Sequence, residues 1–117
     1  KEPLGPLVRH GDHQWGDVVR WSLNAMIIAE ELGVTSENVD AQKSSNVPEV
    51  LRLLGVEGSY GEMLELAPDW AYQIIKQIGN YSESYEANVG PDTPLEIARG
   101  LNALWTQGGI LYAPPFR

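Results

Sequence analysis

"DHQWGDVVRWSLNAMIIAEELG", residues 12–33, decides how this chain is read. Trp15, Val18, Val19, Leu23, Met26 and Ile27 recur at steps of three and four, the period of a helix. Asp12 offers a carboxylate to the open amides of the first turn. Gly33 suits the left-handed position beyond the last turn, with Val34 as its apolar neighbour. Trp21, Ala25 and Ile28 lie on another side. A helix apolar on more than one side expects cover from more than one direction.

Upstream, "KEPLGPLVRHGD" places prolines and glycines around Leu7, Val8 and Arg9. A short extended strand is expected over 7–9, and it has no ladder partner of its own. Downstream, Thr35 or Ser36 is expected to cap a short helix near 37–43, broken by "SSN". Asn46 with Glu49 forms an N-x-x-E cap, and Pro48 falls in the first turn, where its missing amide does no harm. Val47, Val50, Leu51 and Leu54 form that helix's apolar face, Gly55 ends it, and "VEGSYG" reads as loop.

Pro68 and Asp69 open the next helix, with a stripe of Trp70, Ile74, Ile78, Tyr81 and Tyr85. The stripe runs straight through Gly79, where a mid-helix glycine costs about 1 kcal/mol against Ala. A continuous helix and a break at Gly79 are both compatible with that pattern. Gly90 and Pro91 stop the run. Thr93, Pro94 and Glu96 then give a cap, an N1 proline and a capping-box acid. They predict a last helix with Ile97, Ala98, Leu101, Leu104 and Trp105 buried and Gly108 at its end. The sum is a mainly α fold of about five helical segments plus one short N-terminal strand.

The 117 residues suit one domain, and 43% hydrophobic with 21% charged residues marks a globular chain. A net charge of −8 with eight scattered Lys and Arg argues against a nucleic-acid partner and against anionic membrane surfaces. The absence of cysteine removes disulfides, thiol catalysis and thiolate metal sites. The longest apolar run, "LNAMIIA", is too short to span a bilayer. The chain opens on Lys1 without a Met or a signal sequence, which leads one to expect a processed protein or one cut from a longer chain.

Candidate chemistry is sparse. His10, Asp12 and His13 supply donor types that suit zinc, but the third ligand at helical spacing is missing and Asp12 is already a cap. Glu62 with Glu65, and Glu30 with Glu31, have no partner nucleophile or oxyanion donor and read as solvated acids. Trp15, Trp70 and Trp105 fall in helical apolar stripes and are expected in the core, with Trp21 the least committed. "NYS" at 80–82 matches a glycosylation acceptor but lies inside an expected helix. No phosphate-binding or nucleophile-elbow motif is present. The residues therefore point to no enzyme, no catalytic, ligand-binding or metal site, and no cofactor.

The chain closes on "GLNALWTQGGILYAPPFR", residues 100–117, an apolar tail with Ile110, Leu111, Tyr112 and Phe116. Such a tail is expected to be bound to something.

Together, "KEPLGPLVRHGDHQWGDVVRW", "AEELGVTSENVD", "VLRLLGVEG", "DWAYQIIKQIGNYSESYEANVGPDTP" and above all "RGLNALWTQGGILYAPPFR" resemble the C-terminal part of general L-amino-acid-binding periplasmic proteins. These are the solute-binding components of polar amino-acid ABC transporters. The resemblance covers essentially the whole chain. It implies a fragment of a two-lobed α/β periplasmic-binding-protein fold of type II. Residues 1–34 would be a return strand and lobe-one helix, and 35–117 a C-terminal helical extension. It also implies a periplasmic location, with the parent lobes and an ABC permease as partners. The family clamps its amino acid with an Arg and an Asp that lie upstream of this stretch. No position here matches them, and Arg9 and Asp12 are not substitutes. Polar L-amino acids would then bind the full-length protein only. A strand edge and a greasy tail without their host favour pairing between copies, so the isolated chain is expected to be a homo-oligomer. The alternative reading is an autonomous helical module for protein–protein interaction.

Overall fold

A computed structural model describes residues 4–116. It holds six α-helices, α1 (His13–Glu31), α2 (Val39–Gln42), α3 (Pro48–Leu53), α4 (Tyr60–Met63), α5 (Trp70–Ile78) and α6 (Tyr81–Asn88), and one 3₁₀ turn, Trp105–Gln107. The expected main-α character holds. Among the described residues there is no strand at 7–9. Leu7 is 96% exposed, and the chain turns back at once, Asp12 N–H donating to Arg9 C=O at 3.2 Å. The physical reason is the one foreseen for a lone strand: it has no ladder to join. The only β pairing described is a parallel bridge between Leu104 and Leu111.

α1 starts and stops where its chemistry dictates. Asp12 accepts from the Trp15 amide at 3.1 Å. At the far end Gly33, with φ +69°, lets its own amide reach Glu30 C=O and the Val34 amide reach Ala29 C=O. That pair of bonds satisfies two carbonyls the helix would otherwise leave open. Beyond it, Thr35 and Asn38 bond each other's backbone amides and set up α2. α2 is shorter than the expected 37–43 helix. Pro48 is the first residue of α3, but the cap is Val47 rather than Asn46, and no side chain closes it. "VEGSYG" is not all loop, because Tyr60 and Gly61 begin α4.

The stripe through Gly79 is broken. Gly79 has φ +95°, and a Cβ there would stand 2.7 Å from the Cβ of Glu83. Asn80 then caps α6, accepting from the Glu83 amide at 3.0 Å, while Glu83 accepts from the Asn80 amide at 2.8 Å. With the break, the buried residues of α5 become Trp70, Ala71 and Ile75, and Ile78 is left 61% exposed.

The helix expected after Thr93 does not form. Glu96 and Gly100 both have positive φ, and the Ile97 amide donates to Val89 C=O. Arg99 reaches across to Glu30 with two bonds, at 2.7 and 3.1 Å. Its side chain also packs within 6 Å of the Tyr81 and Tyr85 ring centres. A glycine in mid-run weakens the helix, and a bidentate charged pair at low exposure outweighs local propensity. As a result Ile97, Ala98, Leu101 and Trp105 are exposed rather than buried, and of the expected buried side only Leu104 is in the core.

The core comprises the second half of α1 (Ala25, Ile27, Ile28, Ala29), with Val34, Val39, Val50, Leu53, Leu54 and the buried side of α5. α1 packs on α3, α5 and α6. The tail joins this core: Ala113 and Phe116 are 7% and 8% exposed. One ground for pairing between copies is thereby removed, since the tail finds its host within its own chain. No helix among the described residues is long and apolar enough to cross a membrane.

Candidate functional site

Phe116 is the hub of the most developed surface region. Its ring centre lies 5.3 Å from that of Trp21, 5.8 Å from Tyr60 and 5.9 Å from Trp70. Residues 112–116 make no backbone hydrogen bond to another described residue, so these side chains hold the tail. Rings offset at 4.5–7 Å add about 0.5–1.5 kcal/mol per pair beyond the area they bury. With Pro115, Phe116 separates two apolar clefts. The first, of about 230 Å³, lies between Ile28, Glu31 and Leu32 of α1 and its end, Glu49, Trp105 and the tail. The second, of about 130 Å³, is walled by Trp21, Tyr60, Met63, Leu64 and Trp70. A third groove runs past Asp12, Trp15 and Glu65.

Among the described residues, the charged groups lining these clefts are all acids: Glu31 and Glu49 in the first, none in the second, Asp12 and Glu65 in the third. Trp105 and Tyr112 meet at 69° with centres 5.8 Å apart, and the Trp105 indole N–H donates to Glu31 at 3.3 Å.

Of the residues weighed in the sequence, Trp70 is in the core as expected, while Trp15 and Trp105 are 55% and 51% exposed. Each sits where its stripe finds no opposite surface: Trp15 at the uncovered start of α1, Trp105 in a 3₁₀ turn instead of a helix. Trp21 is the partner of Phe116. Asp12 caps α1, and among the described residues no three His, Cys, Asp or Glu side chains come together as a metal site. Glu30 is not a solvated acid. It is 9% exposed and takes both bonds from Arg99.

Two polar devices escaped the sequence reading. Glu83 serves α6 and a distant turn at once: Ser36 donates to it from its hydroxyl at 2.6 Å and from its amide at 3.1 Å. The signal was present, since Asn80 and Glu83 stand three apart like a capping box. The second is Asp40, which accepts from Lys76 at 2.7 Å and Tyr72 at 2.8 Å. The Lys76 bond above all, and then the Tyr72 bond, hold the Asp40 carboxyl below its ordinary range. The bond to Asp40 likewise pushes the Tyr72 hydroxyl up and Lys76 up. Nothing in residue spacing announces that pairing, because 40 and 76 meet only once α2 packs on α5.

No protein-family model matches the chain. Individual proteins do. The glutamate/glutamine/aspartate/asparagine-binding protein BztA of Rhodobacter capsulatus is 55% identical over 118 residues, spanning 100% of this chain and 35% of BztA. The general L-amino acid-binding periplasmic protein AapJ of Rhizobium johnstonii is 56% identical over 119 residues, with the same shares. A solved structure, an ABC transporter periplasmic binding protein from Brucella ovis with glutathione bound, matches with a TM-score of 0.89 at 51% identity. That match covers 94% of this chain and 35% of the Brucella chain. The chain thus spans about a third of the length of the relatives it matches. In sequence along its whole length, and in fold over 94% of it, the chain corresponds to the C-terminal region of the periplasmic binding proteins of amino-acid ABC transporters.

Proposed function

We propose that this chain is the C-terminal segment of a periplasmic receptor that captures polar amino acids for an ABC transporter, and that it does not hold the amino acid by itself. The observation that carries the first part is the end-to-end match to proteins named for amino-acid binding. The second part rests on charge. An α-amino acid brings a carboxylate, and a pocket that receives it needs a cation or a convergent set of donors. Among the described residues, the clefts are lined by carboxylates, apolar groups and neutral donors spread over three separate sites, such as Tyr112, Tyr60 and Gln14, with no cation. The helical unit would serve the receptor as a packed extension beside the ligand-binding lobes, in the periplasm, with the permease as the receptor's docking partner.

Calorimetry tests the proposal. Titrating this chain with glutamate, glutamine, aspartate and asparagine is expected to give no saturable heat. A saturable heat with a stoichiometry near one would overturn the second part. The self-contained core, from Ala25 to Phe116, favours the other reading, a free-standing helical interaction module. The gene decides between the two. A reading frame that continues upstream of the Lys1 codon into the rest of a receptor supports the first. One that starts there supports the module.

A further inference from the structure

The first cleft carries a second, independent chemistry. We propose that it binds a small organic ammonium ion, of the quaternary or alkylammonium class, between Trp105, Tyr112 and Phe116 with Glu31 as the counter-charge. Three aromatic side chains line a space of about 230 Å³, below the usual size of a drug-sized pocket and suited to a compact ligand. Trp105 and Tyr112 stand at 69° to one another, which gives the cleft two adjoining aromatic walls. Trp105 is held there by its indole N–H bond to Glu31. The ring quadrupole attracts a cation within about 6 Å of a ring centre, most strongly for Trp, and a quaternary ammonium needs no hydrogen-bond acceptor to be satisfied.

The charges agree. The acids on the cleft are Glu31 and Glu49. Arg52 lies 3.7 Å from Glu49 and offsets that carboxylate. Glu31 is bonded to the neutral indole and, among the described residues, forms no salt bridge. An anion or a zwitterion would set its carboxylate against Glu31. A neutral apolar molecule would gain the walls but not the charge. The chain uses the same chemistry internally, where Lys43 sits 3.3 Å from the centre of the Tyr72 ring. The proposal does not rest on the receptor reading.

The experiment is a titration of this chain with choline and with tetramethylammonium, followed by Trp fluorescence and by calorimetry at fixed ionic strength. The control is dimethylbutanol, which has carbon in place of the charged nitrogen of choline. Saturable binding of both cations, with the neutral analogue about tenfold weaker or worse, is expected. Glu31→Gln should weaken the cations severalfold and leave the neutral analogue unchanged. Trp105→Leu should abolish cation binding while the circular dichroism and unfolding midpoint stay close to wild type, because the side chain is half exposed. Equal binding of choline and its neutral analogue overturns the proposal. So does the absence of saturation in the millimolar range, or cation binding untouched by both substitutions.

Discussion

Phe116 has the largest stake of any residue in the tail. It is 8% exposed and touches three aromatic rings that come from α1, α4 and α5. Phe116→Ala is expected to cost about 3 kcal/mol, the lower part of the range for a buried Phe, because the clefts on either side let neighbours relax into the void. Urea unfolding should show the loss as a lower midpoint at unchanged slope. Ile110→Ala, in the same tail but 73% exposed, should stay within about 0.5 kcal/mol of wild type. At the same scale, Asp40 gives a pH dependence. Its pKa is lower in the folded chain than the ordinary 3.8, mainly through the Lys76 bond. A carboxyl shifted this way adds stability above its unfolded pKa and loses it as pH falls through the folded value. Lys76 is shifted up from 10.5, so its share is present below that value and is lost as pH rises through the folded one. The stability difference between wild type and Asp40→Asn should therefore be flat from about pH 5 to about pH 9 and close on further acidification. It should be small, since the two side chains are 57% and 42% exposed and water screens them. Urea midpoints measured across pH check it, and a difference that grows toward acid would contradict it.

Among the elements, the joint between α5 and α6 shows what could be read from the sequence and what could not. The glycine at 79 flagged the joint, but periodicity alone could not choose between a helix with a costly glycine and two helices. What chooses is polar: Asn80 caps α6 and donates its side-chain amide to Val34 C=O at 2.9 Å, at 4% exposure. Asn80→Ala removes the cap and leaves that buried carbonyl unpaired. Its cost should be about 2 kcal/mol, the upper end for a cap, read as a lowered urea midpoint with the helical signal retained at low denaturant. α1 was legible to within a residue because both ends are closed locally, by Asp12 and by Gly33. The run after Thr93 carried equally good local signals and is not a helix. Its conformation is set by Glu30, which lies 69 positions from Arg99, and by Asn102 against Tyr81. Local capping rules see three or four residues, and no residue spacing encodes a partner that distant. The same limit hid the aromatic clefts: Trp21, Tyr60, Trp70 and Phe116 belong to four stretches that only the packed chain brings together.

At the scale of the molecule, the core is off-centre. α1 has 19 residues and is about 28 Å long, yet its buried residues, Ala25, Ile27, Ile28 and Ala29, all lie in its second half. In the first half Trp15 is 55% exposed and the preceding Leu4 and Leu7 are 90% and 96% exposed. Backbone hydrogen bonds open locally where few apolar contacts hold them, and only with global unfolding where the core covers them. The two halves of this one helix should therefore part in hydrogen exchange. Amides of residues 17–22 should exchange at least about tenfold faster than those of 26–31, after correction for intrinsic rates. Denaturant should speed the second group steeply and the first group less, because opening the first half uncovers Trp21 but none of the four buried residues of α1. Trp15→Ser should change global stability by no more than about 0.5 kcal/mol and leave the slow group slow. Equal protection along α1 would mean that the helix opens only as a unit with α3, α5 and α6, and that the exposed start is held by more than its own backbone bonds.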